Sequence, residues 1–303
     1  MTTTPLATLE GVTRRYGDVT ALDDVDLRIE PGSLVGLLGP NGAGKSTVLS
    51  LLQGTRRPTS GTVTLFGGDP AQAVNRTRLG STPQETALPP TLRVGEVVDF
   101  VGRHFADRVP TAVLAEQFGF GELIRRQTGS LSGGQQRRLA VALAFVGKPR
   151  LVLLDEPTTG LDVDARRTLW DAIRRQRELG ATIVLTSHYL EEIEALAERV
   201  VVLGGGRVIT DAPLREVLGL VGIHRVRLRS AEPGTVERLA GVVQASRDGD
   251  AVELDVRDAD AFVRDLVRSE VPFTDLAVRG ATLEEAFLTL TADARANVGR
   301  SAA

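Results

Sequence analysis

Gly39-Pro40-Asn41-Gly42-Ala43-Gly44-Lys45-Ser46-Thr47 decides the fold. The stretch fits the pattern GxxxxGK[ST], a phosphate-binding loop when a strand leads into it and a helix leaves it. Ser33 to Leu38 just before it is short and mostly apolar, consistent with a buried strand. After it, Val48, Leu49, Leu51 and Leu52 read as a helix ending near Gly54. The residue types suit the chemistry. Glycines let backbone N–H groups turn inward around phosphate oxygens, and the start of the helix adds partial positive charge. Residues Gly39, Pro40, Asn41, Gly42, Ala43, Gly44, Lys45, Ser46 and Thr47 are therefore expected around a nucleotide. Lys45 would neutralise the β- and γ-phosphates, Ser46 would ligate Mg²⁺ and Thr47 would contact the α-phosphate. Only Lys45 and Lys148 are lysines among the 36 basic residues, so a lysine placed in this loop stands out from an arginine background.

Further along, Leu151-Val152-Leu153-Leu154 reads as a second buried strand ending in Asp155-Glu156-Pro157. Two acids after four aliphatics suit the carboxyl end of a parallel strand, where α/β sheets bind ligands. Asp155 is expected to hold the Mg²⁺ shell and Glu156 to act as general base toward the attacking water. Neighbouring strand residues point to opposite sides, so the two acids can serve different roles.

Leu131-Ser132-Gly133-Gly134-Gln135 narrows the options. Ser132 and Gln135 form a capping-box pattern, so Ser132 begins a helix and supplies a second anion-binding helix terminus. Here the chain resembles the ATP-binding cassette (ABC) family, whose signature is LSGGQ, over about residues 5 to 220. The resemblance implies further roles. Tyr16 would stack on adenine. Gln84 would touch metal and water and report to a membrane partner. Asp162, in Gly160-Leu161-Asp162, would cross to the other subunit, and His188 would hold the γ-phosphate. It also implies that each ATP lies between the phosphate loop of one subunit and Ser132, Gly133, Gly134 and Gln135 of the other, in an ATP-bound homodimer. Ala144 departs from the pattern, standing where many relatives carry arginine.

The expected fold is α/β of the P-loop NTPase type: a RecA-like core with an antiparallel β subdomain and a helical subdomain (about 90–147), together spanning 1–221. Residues 5–30 and 58–68 alternate apolar and polar as antiparallel strands do. Beyond Gly222 a βαββαβ order predicts a small α+β ferredoxin-like domain over 222–290. In it, Thr235 to Ala240 reads as a short helix, and Phe262, Leu266 and Val267 are the apolar residues of an amphipathic segment. Thr282 and Glu285 form another capping box. Leu283, Ala286, Phe287 and Leu290 fall on one face of the helix that follows. The segment Thr282-Leu283-Glu284-Glu285-Ala286-Phe287-Leu288 resembles the tail of drug- and polyketide-exporter ATPases. Residues 291–303 read as a frayed tail.

Composition sets the remaining bounds. The chain has 303 residues, 42% hydrophobic and 25% charged, and a net charge of −3, which argues against non-specific nucleic-acid binding. It has no cysteine, which excludes disulfide and thiolate chemistry and fits a cytoplasmic site. The amino terminus lacks the pattern of a secretory signal, and no aliphatic run approaches the ~20 residues that span a bilayer. The expectation is an ATP-hydrolysing ABC subunit that uses ATP and Mg²⁺ and is held at the cytoplasmic face of the membrane by a separate permease through which it powers export. The alternative is a soluble ABC ATPase of translation or repair. Translation relatives usually carry two cassettes, and repair relatives insert a long coiled coil for which the interval between Lys45 and Leu131 leaves no room. A non-transport P-loop enzyme such as a kinase is opposed by the signature.

Overall fold

Three aliphatic strands lie side by side at the centre of the sheet that positions the site. In a computed structural model, which describes residues 4–82 and 87–291, the chain divides into two compact units, Met1–Pro213 and Leu214–Ala303. The first unit runs β1 (Ala7–Tyr16), β2 (Val19–Ile29), β3 (Leu34–Leu38), α1 (Lys45–Leu52), β4 (Ser60–Leu65), α2 (Ala73–Arg76) and β5 (Leu79–Ser81). It continues α3 (Val94–Gly102), α4 (Thr111–Gln117), α5 (Gly133–Leu143), β6 (Leu151–Asp155), α6 (Val163–Glu178), β7 (Thr182–Thr186), α7 (Leu190–Leu196), β8 (Arg199–Gly204) and β9 (Arg207–Pro213).

Its main sheet has the order β5-β6-β7-β3-β8-β9. The first five of these strands are parallel and β9 closes the edge antiparallel. All of β3 and β7 and the first four residues of β6 are buried, as continuous aliphatic runs must be when both faces of a parallel sheet are covered. Register brings three carboxyl ends together: Asp155 pairs with Thr186, and Thr186 with Leu37. The loops that leave β3, β6 and β7 therefore emerge at one edge of the sheet.

A second, antiparallel sheet, β2-β1-β4, shares a core with α1 and the main sheet through Leu9, Val12, Leu22, Val48, Leu52, Leu153 and Val201. The segment between β5 and β6 is largely helical, as expected. Phe118, after α4, and Phe145, after α5, are fully or almost fully buried, with ring centroids 5.3 Å apart.

The second unit runs α8 (Leu214–Gly219), β10 (His224–Ser230), α9 (Pro233–Val236), β11 (Val242–Asp248), β12 (Ala251–Val256), α10 (Ala259–Arg268), β13 (Phe273–Arg279) and a last helix, α11, over 283–291. Its antiparallel sheet has the order β11-β12-β10-β13, the arrangement of a ferredoxin-like βαββαβ unit. Alternation builds it: Val226 and Leu228 of β10 and Val252, Leu254 and Val256 of β12 point into the core with Phe262 and Leu266. Arg225, Arg227 and Arg229 point the other way, where Arg225 pairs with Asp255 and Glu285. Thr282 and Glu285 make the expected capping box, Glu285 Oε2 accepting from Thr282 N at 2.8 Å.

Three details differ from the expectation. The division of the chain falls after Pro213 rather than after 221, which assigns α8 to the second unit. The short helix α9 spans Pro233–Val236 against the expected Thr235 to Ala240: it starts two residues early, since proline is favoured in a first helical turn, and ends four residues early. Val267 is 60% exposed, turned about 100° round the helix from the buried Leu266 that precedes it, while Val263, next to Phe262, packs partly buried against the core.

Candidate functional site

The loop between β3 and α1 turns on its glycines. Gly42 has φ +80° and Gly44 +106°, a region costly for residues bearing a Cβ. Gly44 is the N-cap of α1, and a Cβ there would meet Leu22 Cδ2 at 2.5 Å and the Ala21 carbonyl at 2.7 Å. At Gly42 a Cβ would meet nothing within 4 Å, so the positive φ alone favours glycine there. Lys45 is buried beneath it, its Nζ donating to the carbonyls of Gly39 at 2.6 Å and Pro40 at 3.2 Å. Burial holds the Lys45 ammonium below its ordinary pKa, opposed by the charges of Glu156 and Asp155.

At the end of β6, the Asp155 backbone N–H donates to Thr82 Oγ1 at 3.0 Å, and Asp155 Oδ1 accepts from Thr186 Oγ1 at 2.5 Å. Glu156 has φ +49°, a left-handed backbone rarely adopted by a non-glycine residue and typical of strained functional turns. Its N–H donates to the Thr186 carbonyl and Oγ1, both at 3.1 Å. Its carboxylate accepts from His188 Nε2 at 2.6 Å and from Thr159 Oγ1 at 3.3 Å. The strained turn thus aims Glu156 across the sheet edge at the loop after β7.

A cleft of about 490 Å³ gathers these groups, lined by Tyr16, Val19, Ala21, Asn41 to Thr47, Glu156 and His188. Tyr16 stands at its margin, 39% exposed, with the Arg14 guanidinium 4.5 Å from its ring centroid. Ser132, Gly133, Gly134, Gln135 and Asp162 are not among the lining residues. Ser132 caps α5 as the pattern predicts, its side chain accepting from Gln135 N at 3.2 Å, while Gln135 Oε1 accepts from Ser132 N at 3.0 Å. Ser132 and Gly133 are exposed, leaving this helix terminus open to an anion from outside the chain. Asp162 caps α6, accepting from Ala165 N at 2.8 Å. Gln84 lies outside the described residues.

Two groups around the site escaped the sequence reading. Arg137 of α5 is buried, 8% exposed, and donates to the carbonyls of Asp155, Glu156 and Pro157. Its one signal in sequence is a charge on the helix face that carries Ala140 and Val141. Glu192, in the first turn of α7, is fully buried, accepting from Thr158 Oγ1 at 2.9 Å and from Trp170 Nε1 at 3.0 Å. Burial pushes the Glu192 carboxyl above its ordinary pKa, outweighing hydrogen bonds from Ser187, Thr158 and Trp170 and the charge of Arg166. The folded state then holds the proton more tightly than the unfolded one. The associated stability is complete below the unfolded pKa and is lost as pH rises through the folded pKa. Glu192→Gln, uncharged throughout, is expected to flatten melting temperature against pH from the carboxylate range to neutrality. The variant's relative stability should rise with pH, and parallel curves for variant and parent would reject this.

Comparison with known proteins places this geometry. Residues 22–159 match the family described as ABC transporter (ABC_tran). The chain is 36% identical to the daunorubicin resistance ATP-binding protein DrrA3 of Streptomyces coeruleorubidus, over 95% of this chain and 96% of that protein. It is 35% identical to the Nod factor export ATP-binding protein I of Rhizobium etli, over 92% and 91%. Among solved structures it is similar to a dimeric ATP-binding cassette in a post-hydrolysis state bound to ADP and Pi, with TM-score 0.62 and 26% identity over 69% of this chain and 99% of that one. With near full-length relatives and a cleft built on the phosphate loop, the chain belongs to the ABC transporter family, as one of its ATP-binding subunits.

Proposed function

We propose that this chain is the motor of an exporter: two copies close on ATP, hydrolyse it, and thereby drive a drug-, antibiotic- or lipid-like molecule through a separate permease. The observation that carries the reading is the single cleft in which the phosphate loop with Lys45 faces Glu156 and His188. Lys45 carries the counter-charge for the β- and γ-phosphates. Glu156 takes a proton from the attacking water as its oxygen bonds to the γ-phosphorus and the bridging P–O bond to ADP breaks. His188, one hydrogen bond from that carboxylate, holds it in line and meets the γ-phosphate. Tyr16 and Val19 offer the adenine an apolar margin. The exposed start of α5, with Ser132 and Gly134, and the Asp162 turn receive the nucleotide of a second copy.

The residues also suit Mg²⁺. Ser46 Oγ and Asp155 are hard oxygen donors, and the contact from Thr186 to Asp155 Oδ1 leaves Oδ2 available. Mg²⁺ takes few protein ligands, completing its shell with phosphate and water; when bound with ATP it would neutralise the transferring phosphoryl group.

No helix among the described residues is long and apolar enough to cross a membrane. Attachment to the cytoplasmic face through a permease, and the export direction, are supported by the names of the relatives in drug resistance and Nod factor export. The test is co-purification with the membrane protein encoded beside this chain, followed by ATPase assay and efflux from vesicles containing both. The expected result is a stable complex whose turnover rises with cargo. A chain that hydrolyses ATP at full rate alone and recruits no membrane protein would overturn the transport reading.

A further inference from the structure

The peptide of Glu156 is gripped from two sides. Its N–H is held by Thr186 of β7. Its carbonyl accepts from Arg137 Nη2 at 2.8 Å, while the same guanidinium takes the carbonyls of Asp155 at 2.5 Å and Pro157 at 3.2 Å. A buried guanidinium is costly to desolvate, and here its planar fork spans three successive carbonyls, which an ammonium cannot match. Those carbonyls belong to the turn in which Glu156 sits at φ +49°. Arg137 lies on α5, the helix capped by Ser132, about 7.5 Å along the axis from that cap. A helix this short moves as a unit, so a displacement of its start is delivered to the Glu156 peptide.

We infer that Arg137 is a positioning residue through which a nucleotide gripped at Ser132 sets the geometry of Glu156 in the same chain. This rests on the proposal that Ser132 receives the ATP bound by the partner copy. Glu156 acts on the ATP of its own phosphate loop, so the contact couples the two sites: nucleotide at one site completes the catalytic turn at the other. Coupling of this kind needs one rigid element touching both sites, and α5 with Arg137 supplies it.

The test uses full-length protein with Arg137→Lys and Arg137→Gln. Fluorescent-nucleotide affinity, melting temperature, and ATP-driven dimerisation in a Glu156→Gln background are measured beside kcat, KM and the Hill coefficient for ATP. In both variants kcat should fall on the order of 10²-fold, the cost of a small misplacement of a catalytic group. The Hill coefficient should drop toward one, while nucleotide affinity and dimerisation stay at the parent's level. Lysine, a point charge without the planar fork, should restore little. Unchanged kcat and Hill coefficient in either folded variant would overturn the inference. So would a loss of kcat matched by an equal loss of affinity, which marks a brace for the fold and no more. Failure of both variants to fold counts against it in the same way. Ser132→Arg separates the underlying reading. If it leaves dimerisation and turnover intact, the contact in trans is wrong; if it blocks dimerisation while the Arg137 variants behave as the parent, only the role of Arg137 falls.

Discussion

Lys45→Ala should abolish ATP binding at concentrations that saturate the parent. Nζ lies buried under the loop, held by the carbonyls of Gly39 and Pro40. It therefore reaches the phosphate space already oriented and largely stripped of water. Removing a buried charge from a paired arrangement costs roughly 3–5 kcal/mol, which is about a 10²- to 10⁴-fold rise in Kd. The loop itself should persist, because its course is set by Gly42 and Gly44 and by the packing of Leu22 against Gly44. Calorimetric or fluorescent-nucleotide titration reads the effect, and a melting curve near that of the parent shows that the loss belongs to the site. Unchanged nucleotide affinity would sink the assignment of the phosphate loop.

What the sequence made legible was local. The phosphate loop, the acids after Leu154 and the cap at Ser132 each announce themselves within ten residues, because a turn, a strand end or a helix start is decided by its own neighbours. The burial of strands was legible and their order was not: the runs Ser33 to Leu38 and Leu151 to Leu154 read as buried strands, and only the sheet sets them two positions apart with β7 between. Arg137 and Glu192 were hidden for a common reason. Each is a charged residue in a helix whose burial depends on partners 18 to 34 positions away, and periodicity alone treats such residues as solvated. Val267 failed for a smaller reason: it follows the buried Leu266 on α10, and one residue is about 100° of rotation, enough to turn it outward. The division of the chain after Pro213 falls where no break in composition marks it.

Glu156→Gln should keep ATP binding, lose hydrolysis and accumulate as a dimer. The substitution preserves shape, and its amide oxygen can still accept from His188, so the strained turn and its grip by Thr186 have no cause to relax. What disappears is the proton acceptor. Loss of a general base costs about 10²- to 10⁴-fold in rate, with Kd for ATP little changed because Lys45, Ser46 and Thr47 are untouched. Since the exposed start of α5 contributes nothing to the cleft of its own chain, ATP that cannot be cleaved should hold two copies together across it. Size-exclusion chromatography with ATP and with ADP reads this directly: dimer with ATP, monomer with ADP. Turnover at the parent's rate would place the base elsewhere. Lost turnover without any ATP-dependent dimer would leave Glu156 as the base and remove the second copy from the site, and with it the path by which Arg137 joins the two nucleotides.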